Sequence, residues 1–357
     1  MDLSPYPLLT AYRALAAALP VAGLLAGPTP VERLAGGDSL FLKRDDLTAT
    51  DYGGNKIRKL DFLLAAAKAR GARELLTFGY AGSNFVAATA WHGRKLGLDT
   101  LAYLLPQPGA AYVADNLAIG LHAGAELREL PDDKRIIAAA LLRSARSLVR
   151  RGRLPEWIPP GGSAPVGVAG YINAAFELRQ QVNAGLLPEP ELIYVAFSSM
   201  GTVAGLSLGL ELAGLRSRIV AVQVVDHRYA GPQKLQRLIE RTRSHLHSID
   251  SGFRRRATSP ERISIRDEFF GSGYARPTPQ TRAAVARFEA ASGARADSAY
   301  SGKALACLYQ DLDAGELYGR DVLFWHTFNA HPLPAGVSHP EPARIPESLR
   351  HYFGDRR

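Results

Sequence analysis

The chain has 357 residues, 46% hydrophobic and 22% charged, with a formal net charge of +9 and a pI near 9.7. That is the composition of a globular protein, not of a disordered or collagen-like chain, and the length predicts about two domains. Apolar runs stop well short of a membrane span, and the single cysteine, Cys307, excludes an intramolecular disulfide. The start Met1-Asp2-Leu3-Ser4-Pro5 has neither the basic nor the apolar region of a secretory signal, so a cytoplasmic protein is expected.

Residues 1–38 read as a Pro- and Ala-rich lead-in with a short helix at Ala11–Ala18. Leu40-Phe41-Leu42 reads as a strand, Lys43-Arg44-Asp45-Asp46 as a charged turn, and Asn55–Ala69 as a helix. Strand and helix signals then alternate: Glu74–Phe78, Ser83–Leu96, Thr100–Leu105, Tyr112–Ala123, Glu126–Leu130, Lys134–Arg150. Such alternation predicts an α/β chain with a parallel sheet flanked by helices. Residues 154–170, rich in Pro and Gly, read as a crossover between domains. A helix at Gly170–Val182, strands at Leu192–Phe197 and Arg218–Val225 with a helix between them, and a last strand at Asp321–Trp325 are expected. Residues 226–262 are polar and basic with weak periodicity, and the Pro-rich tail reads as surface wrapping.

Three stretches carry candidate chemistry. In Asp51-Tyr52-Gly53-Gly54-Asn55-Lys56-Ile57-Arg58-Lys59-Leu60, the glycines let the backbone bend and a ligand approach closely. Lys56 falls in the first helical turn, where the dipole disfavours an ammonium, and the neighbouring Arg58 and Lys59 lower its affinity for a proton further. A lysine so placed is a nucleophile for carbonyl chemistry, or it faces an anion; a solvated basic helix start is the other reading. Ser198-Ser199-Met200-Gly201-Thr202-Val203-Ala204-Gly205 lies between a strand end and a helix start, where free N–H groups and the helix dipole attract anions. It also reads as a packing turn, and it lacks both the Walker lysine and the dinucleotide glycine spacing. Gly79-Tyr80-Ala81-Gly82-Ser83-Asn84 is a similar junction, at which Ser83 and Asn84 either cap the helix or hold a carboxylate.

The basic residues come in short runs without interleaved aromatics, which fits solvated faces rather than a nucleic-acid platform; they would also steer an anionic small molecule. His245 and His247 stand in an Arg/Ser-rich stretch with no evident partner ligands, so no metal site is expected.

Taken in order, Gly53-Gly54-Asn55-Lys56 with Arg58-Lys59-Leu60, Ser83-Asn84, Gly161-Gly162-Ser163 with Pro165-Val166-Gly167, Gly201-Thr202 with Ala204-Gly205, Gly273-Tyr274, Tyr300-Ser301-Gly302-Lys303-Ala304 and His326-Thr327 form a specific set. Over roughly residues 10–335 the chain resembles the D-cysteine desulfhydrase / 1-aminocyclopropane-1-carboxylate deaminase family. The resemblance implies pyridoxal-phosphate fold type II (tryptophan synthase β-like) with two three-layer α/β/α domains. These would be a large cofactor-binding domain of residues 1–56 plus 172–357 and a small α/β domain of residues 57–171. It further implies the cofactor pyridoxal 5'-phosphate, a small amino-acid substrate, no nucleic-acid or membrane partner, and a homodimer.

The same resemblance assigns roles. Lys56 would be the Schiff-base lysine and general base, with Asn55 and Asn84 on the cofactor ring. Lys59 would lie near the phosphate, cradled by Gly201, Thr202, Val203, Ala204 and Gly205. Ser83 would hold the substrate carboxylate, and Tyr274 and Tyr300 would flank the substrate. At the cofactor, Ser301 and Thr327 match the desulfhydrase branch, where the deaminase branch has glutamate and leucine. The implied reaction is conversion of D-cysteine to pyruvate, sulfide and ammonia. Deamination of an aminocyclopropane or another β-substituted amino acid, or a paralogue that binds without turnover, are the alternatives. The chain departs from the family at Gly82, where glutamine is usual, at Phe328 and Asn329, where two glycines are usual, and in the basic segment 226–262.

Overall fold

The structure, a computed structural model, describes residues 3–37, 39–253, 262–329, 331 and 333–354. Short β-branched and aromatic runs form the strands β1 (Val31–Arg33), β2 (Leu40–Arg44), β3 (Glu74–Tyr80), β4 (Asp99–Leu105), β5 (Glu126–Glu129), β6 (Glu156–Ile158), β7 (Leu192–Phe197), β8 (Arg218–Gln223), β9 (Ile263–Arg266) and β10 (Val322–His326). The helices are α1 (Pro7–Ala11), α2 (Arg13–Ala18), α3 (Lys56–Ala69), α4 (Asn84–Lys95), α5 (Ala111–His122), α6 (Asp133–Arg151), α7 (Pro165–Asn183), α8 (Gly201–Leu212), α9 (Pro232–Ile249), α10 (Pro279–Ser292) and α11 (Ser301–Asp313).

The chain divides into two compact units. The larger holds residues 1–19, 25–59 and 163–330, and the smaller residues 20–24, 60–162 and 331–357. In the larger unit, six strands run in the order β1-β2-β10-β7-β8-β9, parallel except for the antiparallel pair β1–β2. Residues of one parity, Leu42, Tyr194, Val220, Val222 and Phe324, join Phe288 of α10 and Leu305 and Leu308 of α11 in one core. The alternate residues Ile193, Val195, Ile219 and Ala221 are equally buried, as a parallel sheet covered on both faces requires. α8 contacts β7 and β8 and packs closely on α7.

In the smaller unit, four parallel strands run β5-β4-β3-β6. Ala102, Leu104 and Leu127 pack with Val86 of α4 and Val113 and Leu117 of α5, while Leu101 and Tyr103 pack with Ile136 and Ala140 of α6. Each unit therefore has three layers.

The structure departs from the expected elements in several places. The first helix is two short ones, α1 and α2, and the crossover 154–170 holds β6 and the start of α7. The basic segment 226–262 contains the 18-residue helix α9, whose buried side presents Leu235, Leu238, Ile239 and Leu246. Lys43 and Arg44 continue β2 rather than turning, and Lys43 and Asp45 are fully buried. The tail does not merely wrap a surface, and it groups with the smaller unit: Ile345, Leu349 and Tyr352 belong to its α4/α5 core. Compared with the expected domain limits, the smaller unit starts and ends a few residues inside 57–171 and adds residues 20–24 and this tail. Asp61 ties residues 20–24 in by accepting from the N–H groups of Ala22 (3.0 Å) and Leu24 (2.9 Å).

Close helix packing holds the start of α3. A Cβ on Gly170 of α7 would lie 1.9 Å from the Arg58 carbonyl oxygen, which is backbone and cannot step aside. Gly170→Ala should destabilise the protein by about 3 kcal/mol or more in denaturant unfolding, the overpacking range at its upper end. A cost below about 1 kcal/mol would show that α7 and α3 can separate freely.

Candidate active site

The larger unit brings the 51–60 stretch and the 198–205 stretch together. Gly54 has φ +87°, and a Cβ there would meet the Asn329 backbone nitrogen at 3.1 Å. The bend is fastened on both sides: Gly53 N donates to Asn329 Oδ1 (3.1 Å), Asn55 N to the Thr327 carbonyl (3.1 Å), and Thr48 Oγ1 to the Gly54 carbonyl (2.8 Å). Asn329, an unfamiliar residue in the sequence pattern, is thus a structural tie to the glycine turn, and its side chain also bonds the Tyr52 phenol. The Phe328 ring lies 6.5 Å from that of His326.

α3 opens at Lys56, one residue after the expected Asn55, with the left-handed Gly54 two residues before it and no acidic residue in its first turn. Burial lowers the Lys56 amine to about 8, with Asp297 partly opposing the fall. Lys59, one turn on, is fully buried, and desolvation followed by the charge of Lys56 holds it well below an ordinary lysine. Its amine faces the start of α8: a Cβ on Gly201 would lie 2.9 Å from Lys59 Nζ and 2.8 Å from Ser163 Oγ. Only a glycine leaves that space open. Asn55 Nδ2 donates to Thr202 Oγ1 (3.3 Å), so residues far apart in the chain share one locus. Met200 precedes α8 with a left-handed φ of 68°, Gly201 N donates to Ser163 Oγ (3.3 Å), and Ser163 Oγ donates to the Ser199 carbonyl. Thr202, Val203, Ala204 and Gly205 follow as the buried first turn of α8.

A buried lysine beside a helix N-terminus and a glycine-made space fits a phosphate, whose charge would favour the ammonium form of Lys59. Lys56, neutral in an appreciable fraction at physiological pH, fits an aldehyde partner. The residues present therefore suit pyridoxal phosphate.

Two tyrosines stand before α10 and α11, Tyr300 directly before Ser301. Tyr274 and Tyr300 share a hydrogen bond between their hydroxyls, with ring centroids 5.9 Å apart at 78°. Asp297 accepts from the backbone N–H of Ala299 (2.8 Å), Tyr300 (2.5 Å) and Ser301 (3.2 Å), and from Ser301 Oγ. The Ser301 hydroxyl proton is therefore committed to Asp297, so a carboxylate stands behind the serine that replaces the deaminase glutamate. Sequence reasoning missed Asp297, which stands four residues before the first residue of α11. Thr327 is half-buried, and its carbonyl takes the Asn55 N–H.

In the smaller unit, Ser83 caps α4 by accepting from Val86 N (3.3 Å), the local role that its residue type predicts. Asn84 Oδ1 accepts from Asn116 Nδ2 (2.8 Å), which also donates to the Gly82 carbonyl (2.9 Å). Beside Gly82 stands a different amide: Gln107 Oε1 accepts from Gly82 N (2.8 Å), and Gln107 Nε2 donates to Tyr112 Oη (2.9 Å). A Cβ on Gly82 would meet Tyr112 and Val113 at 2.8 Å, so a side chain is excluded where these residues stand. Gln107, Tyr112 and Asn116 carry no motif that names them in the sequence.

Residues 23–327 match the profile described as "Pyridoxal-phosphate dependent enzyme". The chain belongs to this family. The match extends to the D-cysteine desulfhydrase / 1-aminocyclopropane-1-carboxylate deaminase group and to its cofactor, pyridoxal phosphate. The chain is 36% identical to nocardicin C-9' epimerase of Nocardia uniformis subsp. tsuyamanensis, over 87% of this chain and 93% of that protein. It is 32% identical to D-cysteine desulfhydrase of Klebsiella pneumoniae (strain 342), over 88% of this chain and 96% of that protein. The solved structure of an ACC deaminase homologue superposes with a TM-score of 0.75 at 32% identity, over 88% of this chain and 94% of that one. The architecture is accordingly fold type II, the tryptophan synthase β-like arrangement. Among the described residues, no helix is long and apolar enough to cross a membrane.

In the cofactor-free protein, trace acetylation read by mass spectrometry should show Lys56 reacting with a midpoint near pH 8. An ordinary lysine midpoint would mean that the amine is not desolvated.

Proposed function

We propose that the chain catalyses β-elimination on a small amino acid, with D-cysteine the favoured substrate. One water enters, and pyruvate, hydrogen sulfide and ammonia leave. The observation that carries this reading is the pair of lysines at the start of α3: the half-buried Lys56, brought to about 8, and the fully buried Lys59, set against the start of α8. Lys59, Ser163 and the backbone of Gly201 to Gly205 would hold the phosphate; the resemblance implies that Asn55 and Asn84 would meet the ring. When bound, pyridoxal phosphate supplies an electron sink for the charge left as the α-proton departs.

Lys56 takes that proton onto its amine, for which a pKa near the operating pH is suited. Asp297 stabilises the ammonium so formed, since its charge raises the lysine's proton affinity. The Tyr274–Tyr300 pair holds a proton at its joined hydroxyls, available to the departing sulfur. Ser83 receives the substrate carboxylate and Thr327 borders the cofactor, as the resemblance implies. Ser301, its proton held by Asp297, offers an acceptor to whatever group faces it.

Epimerisation is the second reading, favoured by the 36% identity to an epimerase and by the presence of two proton-handling groups, Lys56 and the tyrosine pair. Deuterium oxide separates the two. Elimination gives pyruvate and sulfide in equal amounts; epimerisation returns the amino acid deuterated at its α-carbon without pyruvate.

The wild-type protein should be yellow with pyridoxal phosphate. Lys56→Ala should abolish the chromophore and lower turnover of D-cysteine by at least about a thousand-fold, the scale expected on losing a covalent and proton-transferring group. Pyruvate release at the wild-type rate by Lys56→Ala would overturn the role of Lys56. Absence of pyruvate from D-cysteine, with another amino acid bleaching the chromophore, would overturn the substrate alone.

A further inference from the structure

The segment Tyr300-Ser301-Gly302-Lys303-Ala304 contains one ionisable side chain besides Tyr300, Lys303, to which the reaction gives no role. Lys303 is fully buried and stands in the first turn of α11, the end of a helix least hospitable to an ammonium. Among the described residues it makes no ion pair. Its Nζ donates to two backbone carbonyls, Phe270 O (2.5 Å) and Gly273 O (3.0 Å), and lies 4.9 Å from the centroid of the Phe270 ring. A methionine of similar length would pack there without the cost of burying an amine, so the polar head needs a reason.

The turn it grips supplies one. Gly271, Gly273 and Ala275 all have positive φ, at 69°, 152° and 55°. Glycine adopts such angles freely, but Ala275, next to Tyr274, does so at a cost, and surrounding contacts must impose it. Within the turn, the backbone bonds are Phe270 N to Asp267 O (3.0 Å) and a longer one from Arg276 N to Gly273 O (3.3 Å). The two carbonyls taken by Lys303 flank Gly271 and end at Gly273, two residues before Ala275.

The base from which Lys303 reaches is rigid. A Cβ on Gly302 would lie 2.7 Å from the Val285 side chain and 2.8 Å from the Asp297 carbonyl oxygen, so α11 sits hard against α10 and the 297 turn. Asp297 fixes Tyr300 from the same base through its backbone N–H (2.5 Å). One tyrosine is thus held directly by the helix start, and the other stands in the turn that Lys303 clamps.

We propose that Lys303 is a positioning residue that pins the 270–275 turn and so brings the Tyr274 hydroxyl onto that of Tyr300. Its importance to turnover rests on the reading that the tyrosine pair serves the substrate; the geometric claim stands apart from it.

The test is a double-mutant cycle on the holoenzyme with Lys303→Met, Tyr274→Phe and both together, using an amino acid that the wild type turns over. Lys303→Met should lower kcat/KM by ten- to a hundred-fold in the wild-type background and by less than three-fold in the Tyr274→Phe background. Chromophore and cofactor affinity should stay within two-fold, because Lys303 does not hold the Lys56 or Lys59 end. A second readout needs no turnover: in cofactor-free protein labelled at tyrosine Cζ, with Tyr274 assigned through Tyr274→Phe, Lys303→Met should move the Tyr274 resonance to the position of a solvated tyrosine. Should Lys303→Met not fold, Lys303→Arg, whose bulkier head displaces the turn, should move the same resonance. Additive losses in the cycle, or an unmoved Tyr274 resonance in the folded variant, would overturn the proposal. A moved resonance together with a fully active Tyr274→Phe would instead remove the tyrosine from the proposed reaction and leave Lys303 as its positioner.

Discussion

The start of α3 depends on a buried set of four charges. The Arg58 guanidinium donates to Asp45 (2.9 and 2.7 Å) and to Glu177 (2.8 and 3.0 Å), and Lys43 Nζ donates to Glu177 (2.5 Å) and Gln181 (2.7 Å). Tyr171 and Trp325 each add a 2.7 Å bond to Asp45. Two cations and two carboxylates balance. Burial alone would raise the Glu177 carboxyl, but Arg58 and Lys43 outweigh it and hold it at about 2. Buried ion pairs contribute little net stability, yet removing one partner is severe, and the arrangement fixes orientation. Here it fixes the residue between Lys56 and Lys59. β2, α3, α7 and β10 all feed it, so the sheet of the larger unit and the first turn of α3 share one register.

Around this anchor the larger unit keeps three lysines in the first turns of helices, each lowered by burial: Lys56, Lys59 and Lys303. Their surroundings separate their functions. Lys303 has carbonyl oxygens to donate to. Lys59 stands beside Gly201 at the start of α8, where the helix N-terminus suits an anion. Lys56 has the charge of Asp297 near it and a pKa close to neutrality, which suits an amine that must be a nucleophile first and a proton acceptor later. Similar burial thus yields a clamp, an anion partner and a reactive group, according to what stands opposite.

Much of this was legible in the sequence where the signal is local. The α/β alternation, the start of α3 and the glycine turn before α8 follow from periodicity and residue type. What escaped is non-local. Lys43-Arg44-Asp45-Asp46 looks like a charged turn because the partner that buries Lys43, Glu177, is over a hundred residues away. α9 was hidden by its basic exposed side, and the tail by prolines that mask Ile345, Leu349 and Tyr352. Gln107 supplies an amide beside Gly82 from a different strand end, so the missing glutamine looked like a loss. Asn329, a departure from the family's glycine, is a tie to Gly53. Arg254-Arg255-Arg256 lies outside the described residues.

The most direct test of the central claim is chemical. Borohydride reduction of the yellow protein locks the cofactor onto whichever lysine carries it, and peptide mass mapping then names that residue. The account predicts a single modified site at position 56. Modification at Lys59, Lys303 or a surface lysine, with Lys56 unmodified, would contradict it.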